Sequence, residues 1–284
     1  METRDATLSV QVGGGGPDLL LVHGLSAHGG EWEAVTLLLE GRFRVIVPDL
    51  AGRGESACSA RARFGLAEET ERLLAVLAST GSGPPLVAGH SHGAALAVSL
   101  ARRTECRGLI LLNPVTPWTA RPAILGLLRL PAAPRLCAGP LRHFRSPLTR
   151  YILTRRVYAD AGAATEDAVD RYAAPFADPA RARALVRALA DWRPAELAVP
   201  ERPLAIPAHV VAGRLDRRTP VETARRWAVA LGARFTVLED CAHGIPEEEP
   251  DRVARWIAGL DESRSGRESR GSSTEGESRD EHQE

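Results

Sequence analysis

The chain has 284 residues, of which 44% are hydrophobic and 25% are charged, and this composition is typical of a globular protein with a packed core. Its 36 basic and 36 acidic residues cancel to a formal net charge of zero, which argues against a nucleic-acid partner attracted by the whole chain. Every basic residue is arginine, so catalysis through a lysine Schiff base is excluded.

Short apolar segments alternate with amphipathic ones in the first part of the chain, a pattern typical of βα units around a mostly parallel sheet. Four segments are continuously apolar, as parallel strands buried on both faces should be. They predict strands over residues 19–23, 44–49, 86–89 and 108–113. Helical spacing between them predicts helices over residues 32–39, 66–79 and 92–102.

The pattern changes after residue 113, where seven prolines interrupt the chain before residue 148. Proline cannot donate to a strand ladder, so these pieces are not strands of a central sheet. We predict a helical insertion, or cap, over residues 114–205, with helices near 148–159, 166–174 and 180–191. The apolar piece AILGLLRL at 123–130 is suited to roofing a substrate pocket, and we expect Leu127 and Leu128 to contact substrate.

The strand pattern resumes at residues 208–212 and continues with a helix at 221–230, a strand at 233–238 and a helix at 250–260. The sequence thus predicts a mostly parallel α/β core, formed by residues 1–113 and 206–260. From residue 261 no hydrophobic residue follows, which predicts a disordered tail over 261–284.

The pentapeptide GHSHG at residues 89–93 lies between a predicted strand and a predicted helix. This context predicts a tight, strained turn that presents Ser91 as a nucleophile, with glycines where a side chain would collide with the turn. A serine hydroxyl needs a base and an orienting carboxylate. Asp216 follows the strand at 208–212 and His243 follows the next strand, so both groups are present in the order Ser, Asp, His.

These features resemble the α/β-hydrolase superfamily over about residues 7–260. The HGL at 23–25, with Trp32 after it, resembles the family's HG loop. PDLAGRGES at 48–56 resembles its DxxGxGxS signature, and residues 213–220 resemble the GxxDxxxP loop that carries the acid. The resemblance implies a serine hydrolase with a mostly parallel sheet of about eight strands and a helical cap.

The mechanism implied by the resemblance begins when His243 takes the proton of Ser91 as its hydroxyl attacks a carbonyl carbon, while Asp216 orients the imidazole. The main-chain N–H groups of Leu25 and His92 would hold the oxyanion. Water then releases the acid from an acyl-enzyme. No cofactor and no metal are required.

Other polar residues near these motifs have alternative interpretations. Asn113 ends the strand that carries the acid in some relatives, but an amide carries no charge. Asp49 is interpreted as a turn residue of its signature loop. His90 is expected to pack inward, whereas His28 and His92 are candidate substrate contacts.

The substrate class stays open at this point. A carboxylic ester of a small or medium hydrophobic acyl group is favoured. A C–C bond hydrolase working without a cofactor, and an acyltransferase or perhydrolase, would use the same three residues. A ligand-binding protein without turnover is a further alternative.

Compartment and partners are predicted from what the sequence lacks. No run of 18 apolar residues and no leader-like N-terminus occurs, so we expect a cytoplasmic protein without stable membrane insertion. The cysteines lack a CxxC pair, which favours reduced thiols over a zinc site or a disulfide framework. They are Cys58, Cys106, Cys137 and Cys241. The expected partner is a small-molecule substrate, and the oligomeric state is left open.

Overall fold

The computed structural model describes residues 1–80 and 83–274, with only the main chain for 263–274. Its strands are β1 (Ala6–Thr7), β2 (Val10–Gly14), β3 (Asp18–Val22), β4 (Arg44–Pro48), β5 (Ala57–Cys58), β6 (Leu86–His90), β7 (Gly108–Leu112), β8 (Ala208–Gly213) and β9 (Arg234–Leu238). Seven of them form one sheet in the order β2-β4-β3-β6-β7-β8-β9, and β1 pairs with β5 apart from it.

The main sheet is parallel except at one edge, where β2 runs antiparallel to β4. Strands β3, β6, β7 and β8 are buried along their whole length, which confirms the prediction of a mostly parallel α/β sheet. The expected number of eight strands was wrong, because the main sheet has seven. The edge strand β2 was missed because its sequence, VQVGG, is half exposed and has no apolar run.

The core consists of two apolar layers, one on each face of the sheet. Strand β3 shows how they arise, because its side chains alternate between the faces. Leu20 and Val22 enter one layer with Trp227 of the helix that follows β8, whereas Leu19 and Leu21 enter the other. Helices therefore cover both faces of the central strands.

The α-helices of the structure are α1 (Glu33–Leu39), α2 (Leu66–Thr80), α3 (His92–Ala101), α4 (Ala133–His143), α5 (Arg145–Ile152), α6 (Glu166–Ala173), α7 (Pro179–Asp191), α8 (Val221–Leu231), α9 (Ile245–Glu248) and α10 (Pro250–Thr274). Helix α10 continues to Thr274, and the disordered tail expected from residue 261 stays a prediction. Asp261 anchors this extension through ion pairs with Arg107 and Arg42. Residues 275–284 lie outside the described residues.

The cap connects β7 to β8 and is built from α4 to α7 with short 3₁₀ and π turns. Helix α4 was not predicted, because its two prolines resemble breaks in the sequence. Pro134 lies in the first turn, where a helix tolerates proline, and α4 packs lengthwise against α7. The single helix predicted at 148–159 is α5 followed by a π turn, Leu153–Val157.

Strands β6, β7, β8 and β9 are parallel, so their carboxyl ends lie along one edge of the sheet. The loops that leave this edge carry Ser91, Asn113, Asp216 and His243. Ligands of open α/β sheets bind at this edge, and the cap begins here as well.

Candidate active site

Ser91 occupies the turn between β6 and α3 in a conformation that L-residues rarely adopt, with φ 53° and ψ −112°. The turn is so tight that a Cβ on Gly89 would lie 2.4 Å from the carbonyl oxygen of Gly93. A Cβ on Gly93 would lie 2.1 Å from the carbonyl oxygen of Val22. Only glycine fits at these two positions, so main-chain contacts hold the Ser91 backbone in its strained geometry.

His243 donates from Nδ1 to Oδ2 of Asp216 over 2.7 Å. Asp216 also accepts hydrogen bonds from the Thr219 hydroxyl and from the main-chain N–H of Arg218. Burial alone would raise the pKa of Asp216, but the His243 ring and these donors lower it to about 2. The carboxylate is therefore charged at neutral pH and fixes the orientation of the His243 ring.

Burial lowers the pKa of His243 below its ordinary value, although Asp216 acts in the opposite direction. A neutral imidazole bonded to Asp216 through Nδ1 has Nε2 available as a base. Ser91 and His243 line the same cavity. In the described part of the chain no hydrogen bond joins Ser91 Oγ to His243 Nε2, and such bonds often tighten only when substrate binds.

Asn113 connects the loops that carry the acid and the histidine. Its Nδ2 donates to the carbonyl oxygens of Ala242 (2.7 Å) and His243 (3.0 Å), and its Oδ1 accepts from the N–H of Gly213 (2.8 Å). The residue adopts a φ of 41°, which asparagine tolerates better than most residues. Sequence reasoning considered Asn113 only as a rival acid and missed its role in joining these loops.

The loop after β3 borders Ser91 on the other side. A Cβ on Gly24 would lie 3.6 Å from the Cβ of Ser91, and Leu25 lines the cavity. No hydrogen bond engages the Leu25 N–H within the described residues. His92 is the first residue of α3, so its N–H has no partner inside the helix. Both N–H groups thus belong to main-chain segments that adjoin Ser91.

The cap supplies most of the apolar wall of this cavity. The wall combines α4, α5, the π turn, the segment after α6 and α7. Its apolar residues are Leu141, Leu148, Ile152, Leu153, Val157, Phe176 and Leu185. This wall suits the apolar part of a substrate that lies next to Ser91.

Several residues predicted to contact substrate lie elsewhere. Leu127 is 57% exposed, and neither it nor Leu128 lines the cavity, because the 3₁₀ turn that carries them lies outside the wall. The His92 side chain is buried among other residues, and this burial, with a smaller effect of Arg53, lowers its pKa to about 3. His28 accepts from the N–H of Gly30 and borders a different surface groove.

The cavity also contains polar residues that sequence reasoning did not select. Glu247 accepts hydrogen bonds from the hydroxyls of Tyr158 (2.8 Å) and Tyr172 (2.9 Å), and burial raises its pKa above the ordinary value. Arg218, in the loop that carries Asp216, and Glu31 also line the cavity. The tyrosine partners of Glu247 and the His90 partner of Glu31 are distant in sequence, so no local motif marks these two acids.

The cap and the histidine loop are joined directly. The carbonyl oxygen of Val157, in the π turn, accepts hydrogen bonds from the N–H groups of His243 (2.8 Å) and Gly244 (2.9 Å). Gly244 permits this approach, because a Cβ there would lie 3.1 Å from the Tyr158 ring. The position of His243 therefore depends on the cap as well as on the core.

Two features are absent from residues 1–80 and 83–274. No group of three or more His, Cys, Asp and Glu side chains is placed to hold a metal ion. No helix there has the length and apolar character needed to cross a membrane.

Comparisons with known proteins identify the family of this chain. The family model described as "Alpha/beta hydrolase family" matches residues 19–256. The Magnesium-chelatase 30 kDa subunit of Rhodobacter capsulatus is 32% identical over 248 residues, 85% of this chain and 86% of that protein. Lipase LipV of Mycobacterium tuberculosis is 28% identical over 253 residues, 84% of this chain and 91% of that protein.

Solved structures give the same result. An esterase from Thermogutta terrifontis, solved with malate bound, is similar with a TM-score of 0.72 and 25% identity, covering 90% of this chain and 93% of that one. The range matched by the family model, residues 19–256, includes Ser91, Asp216 and His243. The chain belongs to the α/β-hydrolase family, and its relatives include proteins named as a lipase and an esterase.

Proposed function

We propose that the protein is a serine esterase that hydrolyses carboxylic esters through an acyl-enzyme. Ser91 is the nucleophile, His243 is the general base and acid, and Asp216 orients the imidazole and stabilises the imidazolium that forms. The N–H groups of Leu25 and His92 stabilise the oxyanion, and such donors are typically worth about 3 kcal/mol each. His243 then activates the water that releases the acid from Ser91.

One observation carries this proposal: a serine in strained backbone geometry and a histidine bonded to a buried carboxylate line the same cavity. Strain at φ 53° is maintained only where surrounding contacts enforce it, and here two glycines and a neighbouring strand do so. A turn with a purely structural serine has no need of this arrangement.

The apolar cap wall favours an acyl chain as the group held next to Ser91. Relatives named as a lipase and an esterase support the same bond type. We propose a small or medium hydrophobic acyl ester as the substrate, with its chain directed toward Leu148 and Ile152 on α5.

Covalent labelling combined with an ester panel tests the proposal. A fluorophosphonate should label the wild-type chain once, at Ser91, and p-nitrophenyl esters should turn over with a preference that depends on chain length. Ser91→Ala should remove both labelling and turnover. Ser99→Ala, on α3 beyond the turn that carries Ser91, is the matched control and should be labelled like the wild type. A label on another serine would refute the assignment.

A second candidate is a binding role without turnover. The name of the Rhodobacter capsulatus relative describes a subunit of magnesium chelatase, which suggests a function within an assembly. In that case Ser91 would still be available for labelling, but no ester of the panel would be hydrolysed. Tight binding of an acyl ligand, measured by calorimetry, would then identify the cavity as a ligand site.

A further inference from the structure

Two ionisable side chains buried beside the cavity are not needed for the hydrolytic steps. Glu31 is 3% exposed and His90 is 5% exposed, and Glu31 Oε2 lies 3.2 Å from His90 Nδ1. Glu31 Oε1 accepts from the N–H of Gly24 over 3.0 Å, and His90 Nε2 donates to the carbonyl oxygen of His243 over 2.8 Å. A continuous chain of hydrogen bonds therefore runs from the HG loop to the main chain of His243.

The geometry fixes the number of protons that Glu31 and His90 hold. The carbonyl oxygen of His243 only accepts, so His90 Nε2 must carry a hydrogen. A second hydrogen must lie between Nδ1 and the Glu31 carboxylate, because two lone pairs facing each other at 3.2 Å inside the protein would repel. Glu31 and His90 together thus retain one proton more than a neutral imidazole beside a carboxylate would have.

The ring that shares this proton lies beside His243. The centroids of the His90 and His243 rings are 4.9 Å apart. Burial alone would lower the pKa of His90, but the Glu31 carboxylate and the hydrogen bonds raise it above its ordinary value. Burial lowers the pKa of His243; Asp216 opposes this effect, and His90 and Arg218 add to it.

The charged and titratable groups around the two rings come from every element packed against them. Glu31 follows the HG loop, and Asp216 and Arg218 belong to the loop after β8. Tyr172 of the cap and Glu247 of α9 face Glu31. The His90 ring contacts the His243 ring directly, with the two ring planes tilted by 53°.

We propose that Glu31 and His90 are positioning residues that share one proton, hold the HG loop and the His243 main chain together, and keep the His243 ring unprotonated so that it acts as a base. The proposal rests on the catalytic role of His243 proposed above. A second proton on His243 would place two positive rings side by side in a buried site, and this repulsion disfavours it.

Glu31→Gln removes the negative charge of Glu31 and keeps the shape of its side chain. The amide can accept from Gly24 and donate to His90 Nδ1, so the hydrogen bonds persist while His90 becomes neutral. We expect the plateau of kcat/KM to fall by a few fold and the acidic limb of its pH profile to move up by about half to one pH unit. His90→Gln, which cannot hold the proton, should move the limb in the same direction.

Glu33→Gln is the matched control, because it removes the same charge two residues away at a site 67% exposed on its side chain. It should leave the acidic limb where the wild type has it. The double variant of Glu31 and His90 should shift the limb no further than either single variant, since both remove one interaction. Active Glu31→Gln and His90→Gln enzymes with an unshifted acidic limb would overturn the proposal.

A measurement on the wild-type chain keeps the proposal independent of turnover and of variant folding. In the ¹⁵N spectrum of histidine-labelled protein at pH 7, both ring nitrogens of His90 should have the shifts of a protonated ring or of one that shares its Nδ1 proton. His90→Gln assigns the signal. A neutral His90 with an unprotonated Nδ1 would overturn the proposal even if ester hydrolysis is found, and a protonated one supports it even if no ester is cleaved.

Discussion

The nucleophile elbow, which is the turn of residues 89–93 around Ser91, and the cap wall border the same cavity. Different forces hold the two regions in place. At the elbow, carbonyl oxygens approach Gly89 and Gly93 so closely that no side chain fits. In the cap wall, apolar side chains from separate helices pack together, and none of them is required by main-chain geometry. The chemistry next to Ser91 therefore has little tolerance for change, whereas the substrate-facing wall can vary while the reaction survives.

The two regions meet at one contact, where Val157 of the cap accepts hydrogen bonds from the His243 loop. Substitutions in the cap should therefore be tolerated less well near Val157 than along α5. A substitution next to Ser91 should therefore cost more than one along α5.

His243→Ala should lower kcat/KM by at least about 10⁴-fold, because the Ser91 hydroxyl loses its base. Ser91, His243 and Asp216 would act as a unit. The double variant with Ser91→Ala should therefore have a kcat/KM within about tenfold of that of either single variant. Steady-state kinetics with the best p-nitrophenyl ester measures this. A double variant slower by the product of both single losses would show that the two residues act independently.

Gly93→Ala should destabilise the fold by about 3 kcal/mol, because the new Cβ would lie 2.1 Å from the Val22 carbonyl oxygen. Gly126→Ala in the cap meets no atom within 4 Å and should stay within about 1 kcal/mol of the wild type. Urea unfolding of both variants gives the comparison. Equal losses would mean that the elbow is not sterically constrained as described.

Ile152→Ala and Leu148→Ala should shift the preferred acyl chain toward greater length, because they enlarge the cavity wall. One buried methylene is worth about 0.8 kcal/mol, so each chain-length step should change relative kcat/KM by a few fold. Leu127→Ala, at a position 57% exposed outside the wall, is the control and should keep the wild-type profile. Three identical profiles would remove α5 from the substrate site.

Asp261→Asn should cost about 1 kcal/mol, or roughly 2–4 °C in melting temperature, because it weakens the ion pairs with Arg107 and Arg42. Glu262→Gln, with a side chain 68% exposed, should change neither the free energy of unfolding nor the melting temperature. Thermal unfolding measures both. No change in Asp261→Asn would mean that the start of the helical extension contributes nothing to the stability of the core.

The sequence by itself determined the parts of the molecule that depend on local rules. Buried parallel strands need continuously apolar segments, so β3, β4, β6, β7 and β8 were predicted within about two residues. The turn around Ser91 needs two glycines between a strand and a helix, so the candidate nucleophile was visible as a motif. Asp216 and His243 were found because each follows a strand whose carboxyl end must lie at the same edge of the sheet.

Only the tertiary structure decided which side chains border the cavity. The Glu31–His90 pair joins residues 59 positions apart, and the contact between Val157 and the His243 loop spans the cap and the core. An apolar residue of the cap looks the same in sequence whether it faces the cavity or the solvent, so Leu127 was chosen and Ile152 was missed. Contacts between distant segments depend on how helices pack, and packing is a property of the whole chain.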